Sequence, residues 1–190
     1  METKRCKWCN EKNKIYIKYH DSEWGIKNED DAYLFEMLIL ESFQAGLSWE
    51  CILNKRDNFR KAYDNFDLNK VLNYDDKKIN ELRRNKGIIR NSLKIKASIN
   101  NAKIFKSIID EYGNFITYLY KFAPSVPIYE TNKSNSLLSD EISKDLKKRG
   151  MKFVGTTIIY SYLQAIGIIN SHEKNCFMYK IGRASCRERV

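Results

Sequence analysis

Apolar residues recur at intervals of three and four along most of the chain, which is the period of an amphipathic helix. The clearest case is segment 31–46, where an acidic cap at 28–31 precedes regularly spaced leucine and phenylalanine residues. Gly46 is placed to end this helix. Helices are predicted over 31–46, 50–66, 75–85, 90–112, 114–122, 139–149 and 156–169.

The scarcity of turn residues favours an all-α fold. The 190 residues include two prolines and eight glycines, too few for a sandwich or barrel of many short strands. Segment 156–169 is apolar on nearly all sides, so we expect a buried central helix there. Ser139 is expected to cap the preceding helix, and the polar segment 124–136 to form an irregular surface loop.

The net charge of +10, from 34 Lys and Arg against 24 Asp and Glu, favours a polyanionic partner such as nucleic acid. A lysine-biased composition would produce the same excess without such a partner. No stretch reaches the roughly 18 charge-free apolar residues that a membrane span needs, and the first residues lack the apolar core of a signal peptide. We therefore expect neither export nor membrane insertion.

The last ten residues, 181–190, differ in composition from the rest of the chain. They contain three arginines and no lysine, and the string IGRASCRERV matches one reading frame of a common sequencing adapter. We expect a non-native read-through tail here. The remaining residues, 1–180, are expected to form a single helical domain of two lobes, with both chain ends in one lobe.

Both histidines of the chain have cysteines nearby, one group near each end. Cys6 and Cys9 precede His20. At the other end, three residues separate His172 from Cys176, a spacing found in zinc half-sites. One Cys–His pair from each end would form a tetrahedral Cys₂His₂ zinc site that closes a long loop. The alternative is two ordinary histidines and buried thiols, and spacing does not decide between Cys6 and Cys9.

Glu41 occupies a position where the helical period predicts an apolar residue, because it shares a face with Leu34 and Leu38. A carboxylate there needs a cationic partner or lines a ligand pocket, and the common alternative is a salt-bridged structural residue. Nearby aromatic residues favour the pocket, since aromatic faces and an acid together recognise a flat cationic ring; plain core packing is the alternative. The aromatic residues are Tyr16, Tyr19, Trp24 and Trp49.

A glycine turn at Gly87 joins two predicted helices within a basic stretch. A turn of this kind leaves backbone N–H groups at the second helix N-terminus free to bind a phosphate. Arg84, Lys86, Arg90 and Lys94 add positive charge to the same stretch. Charged connections of this type also occur in proteins that bind no nucleic acid.

Four ordered motifs carry a resemblance to a known family: YIKYHDSEWG (16–25), LFEMLILESFQAGLSW (34–49), NKGIIRN (85–91) and KKRGMKFVGTT (147–157). From about residue 6 to residue 176 the chain resembles the DNA-3-methyladenine glycosylase I family. The resemblance implies an all-α helix-hairpin-helix glycosylase whose termini are tied together by one structural zinc. It also implies hydrolysis of the N-glycosidic bond of 3-methyladenine in alkylated double-stranded DNA, with 3-methylguanine as a second candidate base, by a monomer in the bacterial cytosol.

The resemblance assigns site residues when it is carried over position by position. The zinc ligands would be Cys6, His20, His172 and Cys176, with Cys9 outside the set. The base-binding residues would be Tyr16, Tyr19, Trp24 and Trp49, around the catalytic Glu41. The DNA-binding residues would be Leu47, at a tip that wedges into the duplex, with Lys86, Gly87 and Arg90.

Two other function classes remain open. A bifunctional glycosylase with lyase activity needs a lysine nucleophile with a lowered pKa, and the sequence singles out no such lysine. A non-enzymatic zinc-containing DNA-binding module would explain the charge and the metal ligands, but not Glu41 with its aromatic neighbours. Release of free 3-methyladenine from methylated DNA, with the product strand checked for nicks, separates the three classes.

Overall fold

The computed structural model describes residues 3–179, and helices make up most of that part of the chain. The strands of the described chain are two, of two residues each, and they form one small sheet. Because helices dominate, the prediction of a nearly all-α fold is confirmed. The predicted tail at 181–190 lies outside the described residues, and the two-lobed single domain stays a prediction. The helices are α1 (Lys14–Ser22), α2 (Asp31–Gln44), α3 (Trp49–Leu53), α4 (Arg56–Ala62), α5 (Leu68–Leu72), α6 (Asp76–Arg84), α7 (Ser92–Tyr112), α8 (Phe115–Leu119), α9 (Leu137–Lys148) and α10 (Thr156–Ala165).

Side-chain caps determine where the main helices begin. At the start of α2, an Asp30 carboxylate oxygen accepts a hydrogen bond from the Tyr33 N–H at 2.9 Å. At the start of α9, the Ser136 hydroxyl accepts one from the Ser139 N–H at 3.3 Å. The prediction that Ser139 caps this helix is therefore wrong, because Ser139 is the second member of a capping box that begins at Ser136.

The helix predicted over 50–66 is divided into α3, α4 and a 3₁₀ helix (Asp64–Phe66). All three residues of the 3₁₀ helix have φ between +52° and +57°, a left-handed conformation that ends α-helical hydrogen bonding. The break after α3 lets that helix dock on α1. There the Asn13 amide donates to Glu50 Oε1 at 2.8 Å and to Asn54 Oδ1 at 2.9 Å.

Two strands pair in parallel where the sequence predicts a loop and a helix end. β1 (Ile128–Tyr129) lies within the predicted loop 124–136, and β2 (Ile169–Asn170) follows α10, which is shorter than predicted. Gly167, with φ +76°, turns the chain between the end of α10 and the start of β2. A Cβ at this position would lie 2.3 Å from the Ile26 carbonyl carbon. Glycine is therefore required at this turn.

The core is centred on α2 and α10. α10 packs against α2 and α9, and α2 also packs against α7. Every α2 side chain from Leu34 to Phe43 is buried, and five of the ten α10 side chains are buried. The expectation of a central buried helix within 156–169 is confirmed for α10.

The two ends of the described chain lie side by side. The Phe177 N–H donates to the Lys4 carbonyl at 3.0 Å, and the Lys7 N–H donates to Glu173 Oε1 at 2.9 Å. Within the described residues, no helix has both the length and the apolar character that crossing a membrane requires.

Candidate functional site

Four buried side chains from the two ends of the chain form a compact cluster. Their potential ligand atoms, two sulfurs and two ring nitrogens, all lie within 4.8 Å of one another. The members of the cluster are Cys6, His20, His172 and Cys176. Cys9 lies outside it, with its Sγ 3.9 Å from the Tyr16 carbonyl oxygen. The structure thus brings together the ligand set that the family resemblance implies.

Distances within this cluster match those of a tetrahedral metal site. His172 Nδ1 lies 3.4 Å from Cys6 Sγ and 3.5 Å from Cys176 Sγ. His20 Nε2 lies 3.5 Å from Cys176 Sγ. A tetrahedral ion with sulfur at about 2.3 Å and nitrogen at about 2.0–2.1 Å separates those two ligand atoms by about 3.5 Å. The cluster could therefore hold a metal ion.

Neighbouring groups orient both imidazoles toward the cluster. His20 Nδ1 donates to Asp21 at 2.7 Å, and Asp21 is paired with Arg5 at 2.7 Å. His172 Nε2 donates to the Trp24 carbonyl at 2.9 Å, which leaves the Nδ1 lone pair facing the cluster. Burial lowers the pKa of both histidines, that of His172 to about 4, so the rings stay neutral as metal ligation requires.

A cavity of about 320 Å³ is lined by the predicted base-binding residues. Its volume is at the small end of the range for ligand pockets, as suits a compact planar ligand. The predicted residues on its wall are Tyr16, Tyr19, Trp24, Glu41 and Trp49. Wall residues that the sequence did not reveal include Trp8, Gln44 and Gln164.

Glu41 lines this cavity without a compensating charge. Its side chain is 2 % exposed, Oε2 has no hydrogen-bond partner, and it forms no ion pair within the described residues. Burial alone raises its pKa well above the ordinary carboxyl value. Because an unpaired buried acceptor is costly, the cavity presents a group that a polar or cationic ligand can satisfy.

Glu36, five residues earlier on α2, is a buried acid that differs from Glu41 because it forms ion pairs within the fold. Its Oε1 accepts hydrogen bonds from Arg56 Nε at 2.6 Å and from Arg60 Nε at 2.8 Å, and Arg56 also pairs with Glu23 at 2.6 Å. The helical period did not reveal Glu36, because α2 is buried on all sides. The salt-bridged role considered for Glu41 belongs to Glu36.

Other polar atoms on the cavity wall also lack partners. Nε1 of Trp8, Nε1 of Trp49 and Oε1 of Gln44 are buried without a hydrogen bond in the described structure. Together with Glu41 Oε2, these atoms provide two donors and two acceptors. The Tyr19 and Trp49 rings, with centroids 5.4 Å apart, provide apolar faces beside them. Such a wall suits a flat ring with polar edges.

The cavity and the metal cluster share a wall. The Trp24 ring, which lines the cavity, packs edge-on against the His172 ring at 4.6 Å between centroids. Trp8 packs against Trp24 at 4.6 Å and against His20 at 5.2 Å. The residues on both sides of His172 also line the cavity. Order in the cluster therefore fixes one side of the cavity.

The rim of the cavity comes from segment 131–133, which follows β1 and is largely exposed. Within it, Lys133 Nζ pairs with Glu130 at 2.5 Å. The sequence pattern placed this segment in an irregular loop without a function. No local signal could have found it, since its position depends on the pairing of Ile128 with Ile169.

The predicted DNA-binding residues lie on two turns. Lys86 and Arg90 are exposed between α6 and α7, and Leu47, on the turn between α2 and α3, is 40 % exposed. The Gly87 N–H donates to Asn85 Oδ1 at 2.8 Å. This N–H group is therefore not free for a phosphate, contrary to the expectation from the sequence.

The N-terminus of α7 also differs from expectation. Asn91 Oδ1 accepts hydrogen bonds from the N–H groups of Leu93 and Lys94, at 3.0 and 3.1 Å, so these groups already have an acceptor. The Lys94 side chain is buried, and its Nζ donates to the carbonyls of Phe43 and Ala45. The expectation that Lys94 adds positive charge to the surface of this stretch is wrong, because its ammonium is buried against the end of α2.

Residues 8–179 match the profile of one protein family, described as methyladenine glycosylase. The match spans nearly all of the described chain. The chain belongs to the methyladenine glycosylase family. Among curated members of this family, the chain is 41 % identical over 182 residues to DNA-3-methyladenine glycosylase 1 of Escherichia coli (strain K12), covering 92 % of this chain and 96 % of that protein. It is 36 % identical over 180 residues to DNA-3-methyladenine glycosylase of Haemophilus influenzae, covering 92 % and 97 %.

Solved structures of methyladenine glycosylases share the fold. A crystal structure of 3-methyladenine DNA glycosylase I has a TM-score of 0.86 at 39 % identity, covering 92 % of this chain and 98 % of that chain. The Staphylococcus aureus enzyme, whose structure is described as the structural basis of 3-methyladenine recognition, has a TM-score of 0.87 at 30 % identity, covering 92 % and 96 %.

Proposed function

We propose that the protein is a monofunctional DNA glycosylase that hydrolyses the N-glycosidic bond of 3-methyladenine in alkylated double-stranded DNA, as a step of base-excision repair. Membership of the methyladenine glycosylase family and the names of its relatives support this reaction class. The observation that carries the proposal is the buried Glu41 carboxylate in an aromatic cavity, whose Oε2 has no hydrogen-bond partner within the described part of the chain. 3-Methylguanine is a second candidate base, and a monomer in the bacterial cytosol stays a prediction.

Charge distinguishes the damaged base from the normal one. Methylation at N3 gives the adenine ring of DNA a positive charge, and the exocyclic amine remains a hydrogen-bond donor. A buried carboxylate beside this ring gains both a charge partner and a charge-assisted hydrogen bond. Although burial raises the pKa of Glu41 when the cavity holds no base, a cation next to it favours the ionised form. Undamaged adenine is neutral and offers no such gain.

The positive base also simplifies bond cleavage. Because it departs as a neutral molecule, little acid assistance is needed, and the enzyme must extrude the base, hold it and stabilise the charge that develops on the sugar. We assign stacking to Trp49 and Tyr16, a hydroxyl hydrogen bond to Tyr19 and charge recognition to Glu41, with Trp24 as the wall toward the metal cluster. Water then adds to the sugar carbon and leaves an abasic site in an intact strand.

We place the DNA duplex against the turns that carry Leu47 and Gly87. Leu47 is an exposed apolar residue at the entrance to α3, a position suited to fill the gap that an extruded base leaves. Lys86 and Arg90 are exposed and can neutralise phosphates, and the net charge of +10 adds to the attraction. A Cβ at Gly87 would lie 3.1 Å from Asn58 Cβ, so glycine lets this turn pack closely on α4.

We propose that the cluster of two cysteines and two histidines binds one zinc ion. Thiolate and imidazole ligands in a buried tetrahedral set are typical of structural zinc, and the spacing of about 3.5 Å between sulfur and nitrogen supports this assignment. The ion would tie the two chain ends together and support the wall of the cavity. The hydrolysis needs no step at this ion.

The placement of the lysines disfavours lyase activity. Burial lowers the pKa of Lys94, but its Nζ donates to the carbonyls of Phe43 and Ala45, and Lys94 does not line the cavity. Lys133 lies at the rim, exposed to solvent and paired with Glu130. A DNA-binding module without activity would not account for the cavity and its unpaired carboxylate.

The test is release of free 3-methyladenine from methylated duplex DNA, followed by chromatography, with the product strand run on a denaturing gel. We expect release of the base from a strand that breaks only after alkali treatment. Spontaneous nicking at the abasic site would indicate a lyase. DNA binding without any release above the rate without protein would indicate a non-enzymatic module and overturn the proposal.

A further inference from the structure

We infer that Lys94 is a positioning residue that fixes the turn between α2 and α3, and with it Leu47 and Trp49, relative to the DNA-facing turn at 85–91. Because the role concerns base excision, it rests on the proposed glycosylase function. Neither the family resemblance nor the cavity lining assigns a role to this residue.

The Lys94 ammonium is bound at the C-terminal end of α2. The residue is 7 % exposed, and Nζ donates to the Phe43 carbonyl at 2.7 Å and to the Ala45 carbonyl at 2.5 Å. The last carbonyls of a helix lack intrahelical partners and carry partial negative charge, so a cation is favoured there. The Phe153 ring, 5.8 Å from Nζ, adds a cation–π contact.

The segment held by Lys94 leads directly to the functional turn. The two bonded carbonyls flank Gln44, which lines the cavity, and they precede Leu47 and Trp49. Residues 46–48 are exposed, and a Cβ at Gly46 would meet no atom within 4 Å, so packing around the turn is open. The Leu47 N–H donates to the Gln44 carbonyl at 2.6 Å, and the Ser48 hydroxyl accepts from the Cys51 N–H at 3.2 Å. The two hydrogen bonds from the Lys94 ammonium add the contact that ties the start of this turn to α7.

The backbone of Lys94 lies beside the proposed phosphate contacts. Lys94 is in the first turn of α7, directly after the turn at 85–91, and its N–H is held by Asn91 Oδ1 at 3.1 Å. Arg90, in the same stretch, is exposed. One side chain thus connects the backbone next to the DNA-facing charges with the backbone next to Leu47. When DNA binds at the turn 85–91, the Lys94 side chain holds the turn between α2 and α3 at a fixed position relative to it.

The test compares three variants by single-turnover release of 3-methyladenine. Lys94→Met removes the ammonium and keeps most of the side-chain volume, Lys94→Arg retains donors, and Lys96→Met removes an exposed lysine from the same helix as a matched control. We expect Lys94→Met to slow release roughly tenfold to hundredfold, since a displacement of about 1 Å costs on that order. Lys96→Met should stay within about twofold of wild type, and Lys94→Arg should recover most of the rate.

A second readout separates positioning from general stability. Amide hydrogen exchange should speed up in residues 43–49 of Lys94→Met, while exchange in residues 31–40 and affinity for undamaged duplex DNA stay at the Lys96→Met values. If Lys94→Met does not fold, Lys94→Gln takes its place, with Lys96→Gln as its control.

The outcomes separate failure of the inference from failure of the proposed function. Equal release by Lys94→Met and Lys96→Met would overturn the positioning role, as would equal release by Lys94→Met and Lys94→Arg or unchanged exchange in residues 43–49. If the wild-type protein releases no 3-methyladenine, the proposed function fails instead. The exchange comparison then still decides whether Lys94 holds the turn.

Discussion

Replacing two acids on α2, one at a time, tests whether one carboxylate recognises the base, as proposed, while the other stabilises the fold. Glu36 and Glu41 are 8 % and 2 % exposed on the same helix. Glu36 pairs with Arg56 and Arg60, whereas Glu41 has no charged partner in the described structure. Substitution by glutamine keeps the shape of each side chain and removes its charge, so each variant is the matched control of the other.

Glu36→Gln should reduce stability. Breaking a buried ion pair by neutralising one partner costs about 3–5 kcal/mol. Arg56 keeps its contact with Glu23, so we expect the lower end, about 3 kcal/mol, which corresponds to a melting temperature lower by roughly 6–12 °C for a chain of this size. Below its melting temperature the variant should excise at the wild-type rate, since Glu36 does not line the cavity.

Glu41→Gln should retain the stability of the wild type and slow excision. Burial raises the pKa of Glu41 in the folded protein above its unfolded value, so the folded state holds the proton more tightly and stability falls as pH rises above the ordinary carboxyl range. The glutamine variant lacks this loss, so it should be at least as stable as wild type at pH 8. Excision should slow roughly tenfold to hundredfold, because a hydrogen bond to a charged group contributes about 1.5–3 kcal/mol.

Thermal melts at pH 5 and pH 8 and single-turnover release of 3-methyladenine, measured on the same preparations, test both variants. The assignment is refuted if Glu41→Gln melts several degrees early at pH 8 and excises at the wild-type rate when folded. It is also refuted if Glu36→Gln, assayed well below its melting temperature, excises as slowly as Glu41→Gln.

Two further predictions concern the metal and the DNA. Protein purified without chelators should contain about one zinc per chain. Cys176→Ser should lower both the metal content and the melting temperature, while Cys9→Ser leaves the metal content unchanged. Elemental analysis showing no zinc would contradict the assignment. Lys86→Ala should reduce the slope of log affinity against log salt by about one unit, with Lys96→Ala unchanged, as measured by fluorescence anisotropy on duplex DNA. An unchanged slope for Lys86→Ala would place the phosphate contact elsewhere.

Five residues of the cavity wall could be predicted because their signals are short-range. Tyr16 and Tyr19 lie on one short helix, Trp49 directly follows the turn after α2, and each belongs to a motif that the family resemblance covers. The helical period alone could not separate Glu41 from Glu36, since α2 is buried on every side. Their difference depends on side chains of α4, which docks through tertiary packing.

Long-range contacts determine what the sequence could not reveal. Lys94 is a basic residue in the first turn of a helix, a position that usually faces solvent, and its burial depends on where α2 ends. The rim at 131–133 depends on the pairing of two-residue strands from distant segments. Spacing also left Cys6 and Cys9 open as ligands, and the fold groups Cys6 rather than Cys9 with the two histidines and Cys176.

The measurement that tests the central claim most directly is a crystal structure of the protein with 3-methyladenine. We expect the base within the cavity, stacked on Trp49, with a base nitrogen about 2.7–3.0 Å from Glu41 Oε2, an atom without a hydrogen-bond partner among residues 3–179. A base bound outside the cavity, or bound within it with every nitrogen more than about 3.5 Å from the Glu41 carboxylate, would contradict the account.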